Sequence, residues 1–286
     1  MGAVRIVTDS ACDLTPELAE RHGITVVPLT IRFGDEELLD RRDLSPSEFW
    51  RRCKAAAELP GTAAPAPGAF REAYESVAEE GGGGVLCLTI SSGVSATYQS
   101  ALAAADGFST VPIRVIDTRS VSMGQGLLAL AASEAAVGGA TLDELVTQTE
   151  ERMTRTRVFG VLDSLDHLQR GGRIGGARAL LGSILSIKPV IQVENGVVEQ
   201  ESRQRTRSRS LRYLADKVLA DAPLERLAVA NGAAEDVGSL LSMLDGVAVE
   251  HATVVVDLGP VVGTHAGPGT IGVCYQVAAI PDLSGD

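Results

Sequence analysis

Apolar and polar positions divide the first half of the chain into short alternating runs. Residues 4–7 (VRIV), 85–90 (VLCLTI) and 113–117 (IRVID) are β-branched apolar runs, each read as a buried strand. Between them lie segments with helix signals. Thr15-Pro16-Glu17 opens a helix, with Thr15 as cap and Pro16 at the first position. Residues 25–33 are β-rich, and Gly34-Asp35 turns the chain into a second short strand. Ser45-Pro46-Ser47-Glu48 reads as a capping box that starts a helix running to about residue 58. Further helices are expected over 69–80, 98–105 and 122–137, the last stopped by Gly138-Gly139. Thr141-Leu142-Asp143-Glu144 is another capping box and opens a helix to about residue 154. Strand–helix alternation of this kind predicts a parallel sheet covered on both faces. Ligands of such sheets sit at the carboxyl ends of strands. Here those ends carry Thr8-Asp9-Ser10, Ser91-Ser92 and Asp117-Thr118.

The pattern changes after Arg157. A strand over 158–162 and a short helix over 164–169 lead into a glycine-rich basic loop, residues 170–176. Runs at 188–193 and 197–200 flank Asn195-Gly196, a strong hairpin signal. A helix over 208–219, a strand over 227–230, a helix over 234–244 and a strand over 252–258 follow. A glycine- and proline-rich loop, 263–272, precedes a last strand at 273–278. The expected fold is therefore α/β in two domains. Residues 1–157 form a Rossmann-like parallel sheet with helices on both faces, and residues 158–286 an α+β domain with a mixed or antiparallel sheet. Residues 59–67 carry three prolines, Pro60, Pro65 and Pro67, so they read as extended: a linker, or the lining of a groove.

Composition narrows the classes of function. The 286 residues suffice for two domains with a large core. A net charge of -12 argues against general affinity for nucleic acid or anionic membrane. An aromatic content of 3% argues against base-stacking surfaces. Cys12, Cys53, Cys87 and Cys274 lie far apart, without metal-ligand spacing or a disulfide framework, and fit reduced thiols. The most apolar helix, near 127–137, contains Ser133 and Glu134 and is too short to span a bilayer. No basic-then-apolar leader precedes the first strand, so a cytoplasmic protein is expected.

The candidate chemistry centres on residues 88–101, LTISSGVSATYQSA. A strand that stops at a hydroxyl-rich turn and feeds a helix leaves N–H groups and positive partial charge facing outward. Such a turn can hold a carboxylate or a phosphate, or can be an ordinary cap. Gly171, Gly172, Gly175 and Gly176 do not match a phosphate-binding loop, and no strand-to-helix GxGxxG occurs, so no ATP or dinucleotide site is expected. Arg203, Arg205, Arg207, Arg209 and Arg212 are either a solvated face or a local positive patch for an acidic partner.

Segments in order along nearly the whole chain resemble one family. Thr8-Asp9-Ser10 with Asp13-Leu14, Ser91-Ser92 with 95–101 (SATYQSA), 165–174 (LDHLQRGGRI), and His265 before Gly267-Pro268-Gly269 and Gly272 are similar to the motifs of the DegV family. That family includes the fatty-acid-binding subunit of bacterial fatty acid kinase. The resemblance implies a long-chain fatty acid held in a tunnel between the two domains. It implies a carboxylate near Thr62, Ser92, Ser95 and His265, and partner or anion contacts at Arg173 and Arg205. It also implies a separate ATP-binding kinase subunit, of the dihydroxyacetone-kinase type, that phosphorylates the bound acid. No catalytic residue, metal or cofactor is expected in this chain, and membrane contact is at most transient. The chain departs from the pattern at Ala63, where Ser is frequent, and at Ala96, where Gly is usual. Alternatives are a phosphocarrier that uses His265 and a carrier of another apolar acid.

Overall fold

The computed structural model describes residues 2–56, 58–180 and 187–279. The first half runs β1 (Val4–Asp9), α1 (Pro16–Arg21), β2 (Ile24–Val27), β3 (Thr30–Phe33), β4 (Glu36–Leu39) and α2 (Pro46–Ala55). It continues β5 (Gly61–Ala63), α3 (Pro67–Glu79), β6 (Gly84–Thr89), α4 (Thr97–Ala105), β7 (Ile113–Asp117), α5 (Met123–Val137) and α6 (Leu142–Arg155). The second half runs β8 (Thr156–Val161), α7 (Asp166–Arg170), β9 (Lys188–Glu194), β10 (Val197–Gln204) and α8 (Arg207–Ala220). It ends β11 (Leu224–Gly232), α9 (Val237–Met243), β12 (Val254–Asp257), α10 (Pro260–Ala266) and β13 (Thr270–Val277). No described helix is long and apolar enough to cross a membrane.

Strands β2-β1-β6-β7 form a parallel sheet, in that order. Alternate side chains of β6 leave by opposite faces, and both faces are covered. Val85 and Cys87 pack with Phe70 and Tyr74 of α3 and Ala101 of α4. Leu86 and Leu88 pack with Leu127 and Leu128 of α5 and Leu145 of α6. The second sheet, β10-β9-β8-β13-β11-β12, is antiparallel except at its β11–β12 edge. Its two faces differ in bulk. Phe159, Val161, Val229, Ile271, Val273 and Tyr275 pack beneath α8 and α9. The opposite face carries Val158, Ala228, Ala230 and Cys274, which join the core of the first half around α5.

The strands on either side of Gly34-Asp35 pair as β3 and β4, and the structure adds β5, which was not expected, to make a third sheet, β4-β3-β5. Its edge strand lies within the proline-rich segment, where Ile31 pairs with Thr62 and Arg32 with Gly61. Pro60 and Pro65 flank the paired residues and cost no ladder bond. Other differences are local. Ser45 accepts from Glu48 N–H at 3.3 Å, but the Glu48 carboxylate turns out to Arg51 and Arg52, so only half of that capping box forms. The box at Thr141 and Glu144 is complete. Helix α9 is shorter than expected, because Asn231 Oδ1 holds the Ala234 N–H in a turn before it. Residues 263–266, expected as loop, end helix α10, which Pro260 starts and Gly267 stops at φ 81°. The Asn195-Gly196 hairpin forms as expected, with both residues at positive φ.

One buried carboxylate gathers the segments around the end of β1. Asp13, at φ 58°, accepts from Arg41 Nη2 at 3.2 Å, Ser122 Oγ at 2.5 Å and Gly259 N–H at 2.9 Å. These donors come from the loop after β4, the start of α5 and the start of α10. Nearby Asp9 accepts from Ala11 N–H at 3.0 Å and Ile90 N–H at 2.7 Å, tying β1 to β6. Trp50 of α2 donates to Leu258 O at 3.1 Å, a second link between the halves. Asp40 is also buried, and neither of its oxygens has a hydrogen-bond partner. Burial pushes its pKa up to about 7, against the opposing pull of the Arg41 charge and of the nearby Ser10 hydroxyl.

Two outcomes follow for stability. Replacing Asp13 with Ala strands the Arg41, Ser122 and Gly259 donors, so urea unfolding should show a loss of about 3–5 kcal/mol; a loss below about 1 kcal/mol would contradict the clamp. Asp40 holds its proton in the folded chain at pH values where the unfolded chain has released it. It supports folding below its ordinary 3.8 and opposes folding increasingly as pH rises towards 7. Asp40→Asn should therefore match the parent near pH 4 and exceed it at pH 8, by a few kcal/mol on the order-of-magnitude scale of ~1.4 per pKa unit. A pH-independent difference in unfolding midpoints would contradict this.

Candidate functional site

The two halves enclose a cavity of about 190 Å³. Its floor is the small-residue face of the six-stranded sheet, with Val158, Gly160, Gly272 and Cys274. The β9–β10 hairpin adds Ile191, Val193 and Val198 as one wall. Val261, Val262 and Ala266 of α10 form another, and Leu29, Ile90 and Val94 come from the first half. The lining is mostly apolar, with a few polar groups, the usual makeup of a site for a largely apolar ligand. Among the described residues, no group of His, Cys, Asp or Glu could hold a metal ion.

The polar groups converge through a chain of contacts. Strand β5 holds Thr62 against β3, and the Thr62 hydroxyl lies 3.0 Å from His265 Nε2. His265 occupies the last turn of α10. Its Nδ1 is buried without a partner and faces Gly171, where an added Cβ would lie 2.3 Å away. Glycine at 171 is thus what lets the loop after α7 approach the ring. Arg173, from the same loop, donates to Gly171 O at 2.7 Å and Val94 O at 3.0 Å. Both acceptors are carbonyls, so these bonds leave its charge uncompensated beside the cavity. Ser95, next to Val94, exchanges a hydrogen bond of 2.8 Å with Thr97 Oγ1 and accepts from Thr97 N–H at 3.3 Å. Burial pushes the His265 pKa down to about 4, and the charges of Arg173 and His167 add to this. The imidazole is therefore neutral at pH 7. With its proton on Nε2 it donates to Thr62 Oγ1 and leaves the Thr62 hydroxyl proton free for a ligand.

Thr62, Ser95, Arg173 and His265 thus line one cavity, as a joint carboxylate or anion site requires. Ser92 and Arg205 do not line it. Ser92 is exposed, and its hydroxyl donates to Asp117 Oδ2 at 2.5 Å while its N–H donates to Oδ1 at 3.1 Å. The β7 carboxylate captures this serine because both strands end at the same edge of the parallel sheet. Arg205 is exposed just beyond β10. Of the basic run, Arg207 is tied to Asp236 by two bonds of 2.9 Å, whereas Arg203, Arg209 and Arg212 are exposed. Sequence reading missed three polar lining residues, Ser122, Gln192 and Thr270. Ser122 sits at φ 53°, a conformation that its residue type does not announce. Thr270 was legible from alternation with Gly272 and Cys274, had the last strand been started earlier.

Comparison with known proteins gives this geometry a family. A family model described as "Uncharacterised protein, DegV family" matches residues 3–278. A DegV domain-containing protein of Streptomyces coelicolor is 40% identical over 279 residues, 94% of this chain and 97% of that protein. A DegV family protein from Thermus thermophilus, described as binding fatty acid, has the same fold with a TM-score of 0.88. It is 32% identical, over 96% of this chain and 100% of that one. DegV of Bacillus subtilis, described as a fatty acid binding protein, gives a TM-score of 0.84 at 30% identity, over 97% of this chain and 100% of that one. The match runs through both sheets and the cavity between them, and the chain belongs to the DegV family.

Proposed function

We propose that this chain binds a long-chain fatty acid in the cavity between its halves and presents the carboxylate to a separate ATP-dependent kinase subunit. The observation that carries the reading is the makeup of the cavity: an apolar body that meets Thr62, Ser95 and a neutral His265 beside the Arg173 charge. Relatives from Thermus thermophilus and Bacillus subtilis are described as fatty-acid-binding, which supports the ligand class. The hydrocarbon supplies most of the affinity. At ~0.8 kcal/mol per buried methylene, fourteen methylenes give on the order of 11 kcal/mol before the costs of binding.

The polar end sets orientation. A carboxylate away from bulk water needs several hydrogen bonds or a charge. Neutral hydroxyls satisfy it without a tight ion pair, with the neutral His265 ring turning the Thr62 proton towards the ligand. One oxygen stays free to attack a phosphoryl group that the partner's ATP supplies, a reaction governed by positioning and charge neutralisation. Arg173, beside the cavity, and exposed Arg205 are the residues proposed to meet the partner or its phosphates. The phosphocarrier alternative loses ground at His265, whose Nε2 is occupied by Thr62 and whose Nδ1 is buried.

The reading is tested by denaturing the purified protein and analysing the extracted lipid. About one fatty acid per chain is expected. A chain that is empty and also takes up no added fatty acid would overturn it. The site assignment has its own check. Thr62→Val and His265→Ala should each weaken binding of a displaceable fluorescent fatty acid by about tenfold, the worth of one hydrogen bond to a charged group. Ser92→Ala should leave it unchanged, and the reverse ranking would contradict the assignment. In an imidazole NMR titration of the ligand-free protein, His265 should remain neutral at pH 6; a charged ring at that pH would contradict the placement. Acyl phosphate should form from ATP only when a kinase subunit is added.

A further inference from the structure

Two glycines on the cavity floor have no structural reason to be glycine. Gly160 of β8 and Gly272 of β13 are directly paired, with Ile191 beside one and Ala230 beside the other. Neither has a positive φ. A Cβ at Gly160 would meet nothing closer than Ile191 at 3.6 Å, and one at Gly272 nothing closer than Ala230 and Phe159 O at 3.7 Å. The protein therefore has room for a Cβ at both positions, in ordinary contact with its neighbours. Glycine inside a strand sacrifices stability and often marks a site where a ligand approaches the backbone.

The floor is not bare elsewhere. Residues two apart on a strand share a face. Val158 and Leu162 therefore flank Gly160, and Thr270 and Cys274 flank Gly272. Val158, Thr270 and Cys274 line the cavity, as both glycines do. The missing side chains thus widen the cavity at one row of the sheet only. A straight polymethylene chain has the same girth along its length. Over this row it would leave unfilled space and forfeit dispersion contacts.

We infer that Gly160 and Gly272 are specificity-determining residues, forming a local groove that selects an acyl chain with extra width, such as a methyl branch or a cis bend. The inference rests on the fatty-acid reading above and specifies its substrate class.

Displacement of a fluorescent fatty acid tests it, using straight saturated, methyl-branched and cis-unsaturated acids of equal carbon number. The parent protein should prefer a non-linear acid to the straight one. Gly160→Ala and Gly272→Ala should each weaken the preferred non-linear acid by about tenfold or more, the scale of one misplaced methyl in an apolar pocket, and change the straight acid far less. Which non-linear acid responds identifies the source of the width. Unchanged ratios in both variants, or equal losses for straight and non-linear acids, would overturn the inference while leaving the carrier reading intact. A parent protein that binds no fatty acid at all would instead mark failure of the carrier reading itself. Thermal unfolding of the ligand-free variants separates binding from folding. Alanine at a compatible strand position leaves the midpoint unchanged or raised. A midpoint lowered in both variants would mean that the added methyl clashes with protein rather than fitting at the cavity floor, and would also overturn the inference.

Discussion

The cavity depends on a shortage of side-chain bulk on one face of the six-stranded sheet. A sheet buried on both faces ordinarily carries large aliphatic residues on both. Here Phe159, Ile271, Val273 and Tyr275 fill the face beneath α8 and α9. The other face offers Gly160, Gly272, Ala228, Ala230 and Cys274. Val158, Ala228, Ala230 and Cys274 join the core around α5, but the row of Gly160 and Gly272 supplies no side chain to close the gap, so space remains there. Unfilled apolar space costs stability through lost contacts. The fold keeps it open by anchoring its rim with polar links: Asp13 to Arg41, Ser122 and Gly259, and Trp50 to Leu258 O.

The same rim explains the electrostatics of the polar end. The chain carries a net charge of -12, which by itself repels an anionic ligand. Arg173 offsets this locally, because its bonds go to carbonyls and leave its charge in place. His265 contributes differently. Burial and the neighbouring Arg173 hold it neutral, so it acts through hydrogen bonding with Thr62 rather than through charge. A ligand held this way is oriented without being locked into an ion pair.

Much of this was legible in the sequence, and the exceptions have physical reasons. Both large sheets follow from short apolar, β-branched runs, and the Asn195-Gly196 hairpin from its turn chemistry. Thr62, Ser95, Arg173 and His265 were picked out by family resemblance, and they line one cavity. Ser92 was picked out on the same grounds and lies outside it, because Asp117 on the neighbouring strand reaches its hydroxyl first. Such cross-strand competition depends on sheet order, which residue types do not encode. The edge strand of the third sheet was hidden because β5 is only three residues long and sits among prolines. The floor glycines stayed silent too. A glycine in a strand run reads as a weak strand until its paired neighbour proves to be another glycine on the cavity floor.

The central claim is that one elongated apolar ligand lies across the sheet floor with its carboxylate at the Thr62–His265 end. The most direct test is a crystal structure of the protein with a long-chain fatty acid bound. The account predicts carboxylate oxygens within hydrogen-bond distance of Thr62, Ser95 or His265, and hydrocarbon passing over Gly160 and Gly272. A carboxylate at the opposite end of the cavity, or a chain lodged outside it, would contradict the account.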